Sequence, residues 1–353
     1  MKISKDFPGG NIEVISITED EVIVERELRD NMKDWFYWAF CVEDACPKGK
    51  ESHTVKFSFA GEPRVAKFGA AVSHDLIHWE WTDTREGESF SYTFKPEEKA
   101  YFAFCFIYSD EMLRMFAKEN GIEIETFCIS RKGREVPCFR IGDGEKIVLF
   151  VSRHHACESS GTYLMQGIAK ACLENTPKGY TFLFVPFVDY DGVMDGDQGK
   201  NRAPHDHNGD YGEDASIYPE IDALRKLADS GKVWASFDLH APYIDGKEHD
   251  RVYVFKNPDE VEVDRCLELW KEATAKDENS FTYDGEWDWI DGVNYNNAKR
   301  PTMRTYYSSR VKSGLAITVE TSYSGSPDNR FSAERIINLG GHFYRAFATE
   351  FFE

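Results

Sequence analysis

The chain has little of what marks a secreted, membrane-bound or nucleic-acid-binding protein. None of its eight cysteines forms a C-x-x-C pair, and they scatter from Cys41 to Cys266 in mostly apolar contexts. Buried, reduced thiols are therefore expected, with no disulfide framework. No apolar run approaches the roughly 18 residues of a membrane-spanning helix, and the N-terminus lacks the apolar stretch of a secretory leader, so a cytoplasmic protein off the membrane is expected. Basic charge is also short: 42 Lys and Arg face 62 Asp and Glu, a formal net charge of -20. That balance argues against nucleic acid or an anionic membrane as partner. There is no internal repeat, low-complexity tract or glycine-rich phosphate loop. What is present is core material: 353 residues, 41% apolar and 14% aromatic, enough for two domains or one large one.

Residues 1–120 read as a domain of short strands. Asn11–Ile17, Val22–Glu25, Trp35–Val42, Thr54–Phe59 and Phe90–Phe94 alternate or are rich in β-branched and aromatic residues. Turn-rich stretches separate them, and the spacing predicts an antiparallel β-sandwich. A helix from about Ser109 to Asn120 leads into residues 121–353, where strands alternate with helices. The expected architecture there is α/β, a mixed, mainly parallel sheet with helices on both faces. Ligands of such sheets gather at the carboxyl ends of the strands.

Three apolar runs end in groups that bind metals or move protons. Ile147–Val151 is followed by His155 and Glu158, Phe237-Asp-Leu ends in His240, and Ile317-Thr-Val ends in Glu320. An H-x-x-E string alone can be no more than a His and a Glu opening a helix. With His240 it becomes a His/Glu/His set, the three-ligand arrangement of a catalytic zinc whose fourth position is left to water. Glu320 is then a free carboxylate, placed to act as general base. Cys157, between two of these ligands, is expected to point away as a spectator.

Arg153-His-His155-Ala-Cys-Glu158 resembles the R-x-H-P-G-E zinc motif of the zinc carboxypeptidase family, in its cytosolic carboxypeptidase-like branch. Asp189-Tyr-Asp191-Gly192-Val193, Asp238-Leu-His240 and Glu320-Thr-Ser322 echo that branch's later blocks, and Trp35-Phe-Tyr-Trp38 its N-terminal strand. The resemblance implies one zinc per chain on His155, Glu158 and His240, with Glu320 as the base. It also implies Asp206 orienting His155, Asn208 touching a substrate carboxylate, and Arg202 polarising the scissile carbonyl.

One departure bears on substrate. The arginine that clamps a terminal carboxylate in the family is Gly209 here, with Asp210 beside it, and glycine cannot supply that bidentate pair. A basic stretch of Lys299, Arg300, Arg304, Arg310 and Lys312 could replace the clamp or be a solvated face. Arg304 is the candidate substrate contact within it, and Tyr306 or Tyr307 a capping tyrosine. Asp210 is expected where a substrate carboxylate would approach. The carboxylates from Asp189 to Asp197 read as an acidic loop near the zinc, and His205 and His207 as exposed loop histidines. The expected activity is zinc-dependent hydrolysis of a peptide or acyl-amino-acid substrate, carboxypeptidase type. A deacylase or amidase on a small or cell-wall-derived acyl-amino acid, or a silent binding protein keeping the fold, stays open.

Overall fold

The computed structural model describes residues 1–33, 35–60, 64–212, 214–244, 246–257, 261–290 and 301–352. The first part of the chain forms β1 (Lys2–Ser4), β2 (Glu13–Ile17), β3 (Glu21–Glu25), β4 (Ala39–Glu43), β5 (His53–Phe59), β6 (Ala71–Ser73), β7 (Trp79–Trp81), β8 (Ser89–Phe94), β9 (Lys99–Ala103) and α1 (Asp110–Glu119). These strands make a five-stranded antiparallel sheet, β1-β4-β9-β6-β7, and a four-stranded sheet, β2-β3-β5-β8, whose β3 and β5 run parallel. Alternation puts Val55 and Phe57 of β5 inward and Thr54 and Lys56 outward. The inward rings meet between and within the sheets, with Phe40 of β4 5.4 Å from Phe57 across the interface and Phe57 5.0 Å from its register partner Phe90 of β8.

The strand expected over Trp35–Val42 begins only at Ala39. Ahead of it the backbone bonds to side chains instead of a neighbouring strand: Arg26 Nε donates to Trp35 O at 2.6 Å, and Tyr37 N donates to Gln198 Oε1 at 2.7 Å. This stretch is thereby drawn toward the second part of the chain.

That second part contains β10 (Glu125–Ile129), β11 (Glu135–Ile141), β12 (Lys146–Ser152), α2 (Ser159–Glu174), β13 (Tyr180–Val185), α3 (Tyr190–Asp195), α4 (Pro219–Asp229), β14 (Val233–His240), β15 (Val252–Lys256), α5 (Val261–Lys276), β16 (Trp289–Ile290), α6 (Met303–Ser308), β17 (Ala316–Thr321) and α7 (Ala333–Phe351). Its eight-stranded sheet has the order β10-β11-β13-β12-β14-β17-β15-β16. The centre, β13-β12-β14-β17, is parallel. Phe139, Phe184, Phe150 and Phe237 are register partners and stack across four strands with centroids 4.7, 5.2 and 4.6 Å apart. Phe237 meets Phe343 and Phe347 of α7. The sheet is thus mixed, mainly parallel and flanked by helices, as expected.

The two parts share a core. Phe104 lies 5.2 Å from Tyr323, and Trp81 Nε1 donates to Phe331 O at 3.1 Å. The boundary we propose near residue 120 is therefore one of sheet membership. Among the described residues no helix is long and apolar enough to cross a membrane.

Candidate metal centre

Parallel pairing brings three strand ends together. Ser152 of β12 is level with Leu239 of β14, and His240 is level with Glu320 of β17. After β12 the chain turns sharply at Arg153, whose φ is 64°. The buried Arg153 guanidinium braces the turn, Nε donating to Ala156 O at 2.6 Å and a terminal nitrogen reaching Tyr108 O at 3.3 Å. His155 and Glu158 follow, and α2 starts at once. Gly161 in its first turn is pressed on β14, where a Cβ would stand 2.7 Å from Leu239 O.

His155 Nδ1 lies 2.9 Å from Glu158 Oε1, and His240 Nδ1 lies 2.8 Å from Glu158 Oε2. One donor atom from each of the three residues falls within 4.8 Å of the others. Asp206 Oδ2 stands 3.8 Å from His155 Nε2, and Asp238 Oδ2 stands 2.9 Å from His240 Nε2. Each imidazole therefore has a carboxylate behind it, the usual support of a metal-binding histidine.

A second triad, His154, Asp238 and His240, also satisfies the distances for an ion. Both ring nitrogens of its His154 are already engaged, Nδ1 with Asp238 at 2.9 Å and Nε2 with Tyr211 Oη at 2.8 Å. That makes a closed hydrogen-bond chain behind His240. The third such group, Glu19, Asp20 and His53, lies at the surface of the β-rich part.

The electrostatics fit a divalent cation at the first triad. Burial works against a charged His240, but Asp238 and Glu158 outweigh it and hold the imidazole well above its ordinary value. His155 is raised in the same way by Glu158 and Asp206 against burial. Burial also opposes ionisation of Glu158, yet Lys200, His155 and His240 together keep its carboxyl well below the usual range. Protonated imidazoles on either side of one carboxylate supply the positive charge that a metal ion would bring.

Glu320 is the contrasting carboxylate. Its Oε2 is buried without a hydrogen-bond partner among the described residues. Burial pushes its carboxyl up to about 7, with Glu158 adding to the rise and His240 and Lys200 opposing it. A carboxyl tuned near neutrality beside a metal-ligand cluster can accept and return a proton at physiological pH.

Other expected site residues are spread more widely. Asp206 caps the turn over His207–Gly209, accepting from Gly209 N at 3.1 Å, and Asn208 carries a buried Oδ1 with no partner among the described residues. Arg202 is paired with three carboxylates, Asp30 and Asp189 at 2.5 Å and Asp197 at 2.9 Å. Arg304 is buried and bonds Asn257 Oδ1 at 3.1 Å. Tyr306 Oη donates to Asp229 at 2.9 Å, with Arg310 3.6 Å over its ring. Asp229 ends the helix that feeds the opposite end of β14, roughly 20 Å of strand from His240. Tyr307 Oη is buried against Leu224 O at 2.6 Å. Lys299 and Arg300 lie outside the described residues.

Two expectations are corrected. Asp210 is turned into the fold: its carboxylate holds His205 Nε2 at 2.7 Å and the backbone N–H groups of Ile217 and Tyr218 at 3.0 Å. His207 is buried, because its ring stacks 3.7 Å from that of Tyr218 and its Nδ1 meets the Arg202 guanidinium at 3.3 Å. The acidic loop has its cations in the fold, Asp191 and Asp195 pairing with Arg134 and Asp197 with Arg29. Cys157 is buried, its thiol 3.5 Å from Tyr323 Oη and pushed up to about 11 chiefly by burial.

Sequence reading passed over Lys200. It is 9% exposed, with Nζ 2.5 Å from Glu158 Oε1, 3.4 Å from Ala241 O and 4.8 Å from the Trp35 ring centre. Gly199 sets this position. Its φ is 78°, and a Cβ there would stand 2.2 Å from Ala156 N. The cue in the sequence is a glycine followed directly by a lysine.

Solved structures share this fold along its whole length. A metallo-carboxypeptidase from Burkholderia cenocepacia superposes with a TM-score of 0.78 at 20% identity, covering 99% of this chain and 98% of that one. A metallo-carboxypeptidase from Pseudomonas aeruginosa, in complex with (2-guanidinoethylmercapto)succinic acid, gives 0.74 at 18% identity, covering 99% and 98%. No protein-family profile matches the chain, and no curated protein is similar to it in sequence. The architecture is that of the zinc carboxypeptidase-like fold preceded by β-rich sheets.

Proposed function

We propose that the protein is a zinc-dependent hydrolase of carboxypeptidase type, acting on a peptide or acyl-amino-acid amide. The observation that carries this reading is the Glu320 carboxylate beside the His155, Glu158 and His240 cluster, whose buried Oε2 has no hydrogen-bond partner among the described residues. A silent binding protein has no use for such a group, since burying it without a partner is costly. Shared architecture with metallo-carboxypeptidases agrees with the reading and leaves the chemistry to the residues.

Zinc held by His155, Glu158 and His240 would supply a Lewis acid that polarises the carbonyl and acidifies a water. Asp206 and Asp238 orient the two imidazoles. Glu320 takes a proton from the attacking water as the new C–O bond forms and the carbonyl π pair moves onto oxygen. The same proton passes from Glu320 to the leaving nitrogen as the C–N bond breaks, which leaves Glu320 ionised for the next turn.

A second reading, an amidase or deacylase on neutral-ended substrates, is favoured by one specific feature. Gly209 has no side chain to clamp a carboxylate, while Arg304 and Arg310 are held by Asn257 and Asp229. Elemental analysis and a paired library of free-acid and amidated peptides test both. One zinc per chain, lost in His240→Ala, is expected. A fully loaded His240→Ala variant would sink the metal assignment, and preference for free-acid peptides would sink the second reading.

A further inference from the structure

We propose that Lys200, and not Arg202, is the cation that meets the carbonyl oxygen of the substrate and the charge that develops on it. The inference rests on the zinc reading above. Its first support is position. Lys200 Nζ already touches a donor atom of the ligand cluster, Glu158 Oε1, at 2.5 Å. A group that close to a metal ligand is within reach of an oxygen at the metal, and too near it to serve the far end of a substrate.

The second support is what remains for the ammonium to bind. An ammonium carries three donors. Once Glu158 is committed to a divalent ion, the contacts left to Lys200 among the described residues are the Ala241 carbonyl at 3.4 Å and the Trp35 face at 4.8 Å. An ammonium with unused donors, shielded by an indole, is a strong partner for developing negative charge because little water competes. Arg202 is in the opposite state. Leaving its cage would strand the buried Asp189, whose carboxylate Arg202 and His207 help hold ionised against burial.

The third support is the backbone. Gly199 lies against the His155–Ala156 turn, where any side chain would collide, so the loop presents the next residue, Lys200, to the cluster. Trp35 comes from the β-rich part of the chain and covers Lys200 from outside, which gives that part a role in the site.

The test uses zinc and inorganic phosphate, a tetrahedral anion that presents an oxygen beside a bound metal, with calorimetry on the full-length protein. Lys200→Met should bind one zinc at least as tightly as wild type, because the ammonium that competes for Glu158 is gone. Phosphate should bind it roughly 10- to 100-fold more weakly, the loss expected for a charged hydrogen bond. Lys200→Arg should recover most of that affinity, and Arg202→Lys, which keeps a cation in the cage, should bind phosphate as wild type does.

The proposal is overturned if Lys200→Met binds phosphate as tightly as wild type, if Arg202→Lys is the variant that loses it, or if zinc-loaded wild type binds none. Weaker zinc binding by Lys200→Met would also overturn it, since Lys200 would then only hold Glu158 in place. If wild type takes up no zinc, the zinc reading itself falls. Normal zinc with phosphate binding indifferent to Lys200 removes this inference alone.

Discussion

Two buried cations, Lys200 and Arg202, stand two residues apart in one loop and have opposite surroundings. Arg202 is enclosed by Asp30, Asp189 and Asp197, so its charge is met by the fold itself. Among the described residues Lys200 has one ion-paired carboxylate, Glu158, which the two histidines also claim. The first arrangement is complete without a ligand, and the second becomes complete only when something else enters. Charge balanced within the chain belongs to stability, and charge left to be balanced belongs to function.

The sharpest way to break this comparison is at the open side. Glu320→Gln should keep zinc and fold and lose about 10²–10⁴-fold in turnover, because the change is nearly isosteric and removes only the proton acceptor. Metal content and steady-state rates on the best substrate from the peptide library check it. Activity near wild type would show that Glu320 is not the base.

At the closed side the expected loss is in stability. Arg202→Ala leaves Asp189 and Asp197 without their shared partner, and breaking a buried pair this way costs about 3–5 kcal/mol. Denaturant unfolding should show that loss, while the folded fraction still binds one zinc. A stable variant that fails to bind zinc would reverse the assignment of the two cations.

A graded test comes from protons. His155 and His240 have raised values in the metal-free protein, so zinc uptake should release about one or two protons at neutral pH. Calorimetry in buffers of different ionisation heat measures this directly. The sign for stability follows. The histidines stabilise the metal-free fold fully below their unfolded value of about 6.5, and that contribution is lost as pH rises through their higher folded values. Glu320, at about 7 in the fold, pulls the same way because its ionisation is favoured in the unfolded chain. Metal-free protein should therefore melt lower at alkaline than at neutral pH, and zinc should flatten the dependence.

The smallest effect is expected at Tyr306. Tyr306→Phe keeps the ring beneath Arg310 and removes one hydrogen bond to Asp229 at a solvent-facing position, a change of under about 1 kcal/mol. KM and kcat should not move. A raised KM would restore Tyr306 as a substrate-capping residue.

How much of this was legible beforehand depended on the range of the interaction involved. Helix boundaries followed from local rules: Ser109 caps α1 with its side chain, Ser332 caps α7, and Pro219 opens α4. Strand ends carrying His155, His240 and Glu320 were readable because apolar runs stop where the chain leaves a sheet, and parallel order then gathers those ends on one edge. The strand expected from Trp35 starts only at Ala39, since an aromatic run looks the same whether its amides meet a neighbouring strand or the side chain of Gln198, far along the chain.

The sequence by itself determined the layered α/β architecture, the β-rich segment before it, and the residue types of a metal-ligand set with a separate carboxylate. Periodicity, caps and strand ends are local properties that neighbouring residues impose. Only the tertiary structure decided which cation faces the cluster, that Asp210 and His207 turn inward, and that Arg304 and Tyr306 have partners elsewhere. Those outcomes depend on which charges come within a few ångströms across long stretches of chain, and a charge paired in the fold reads in sequence like one that is waiting for a ligand.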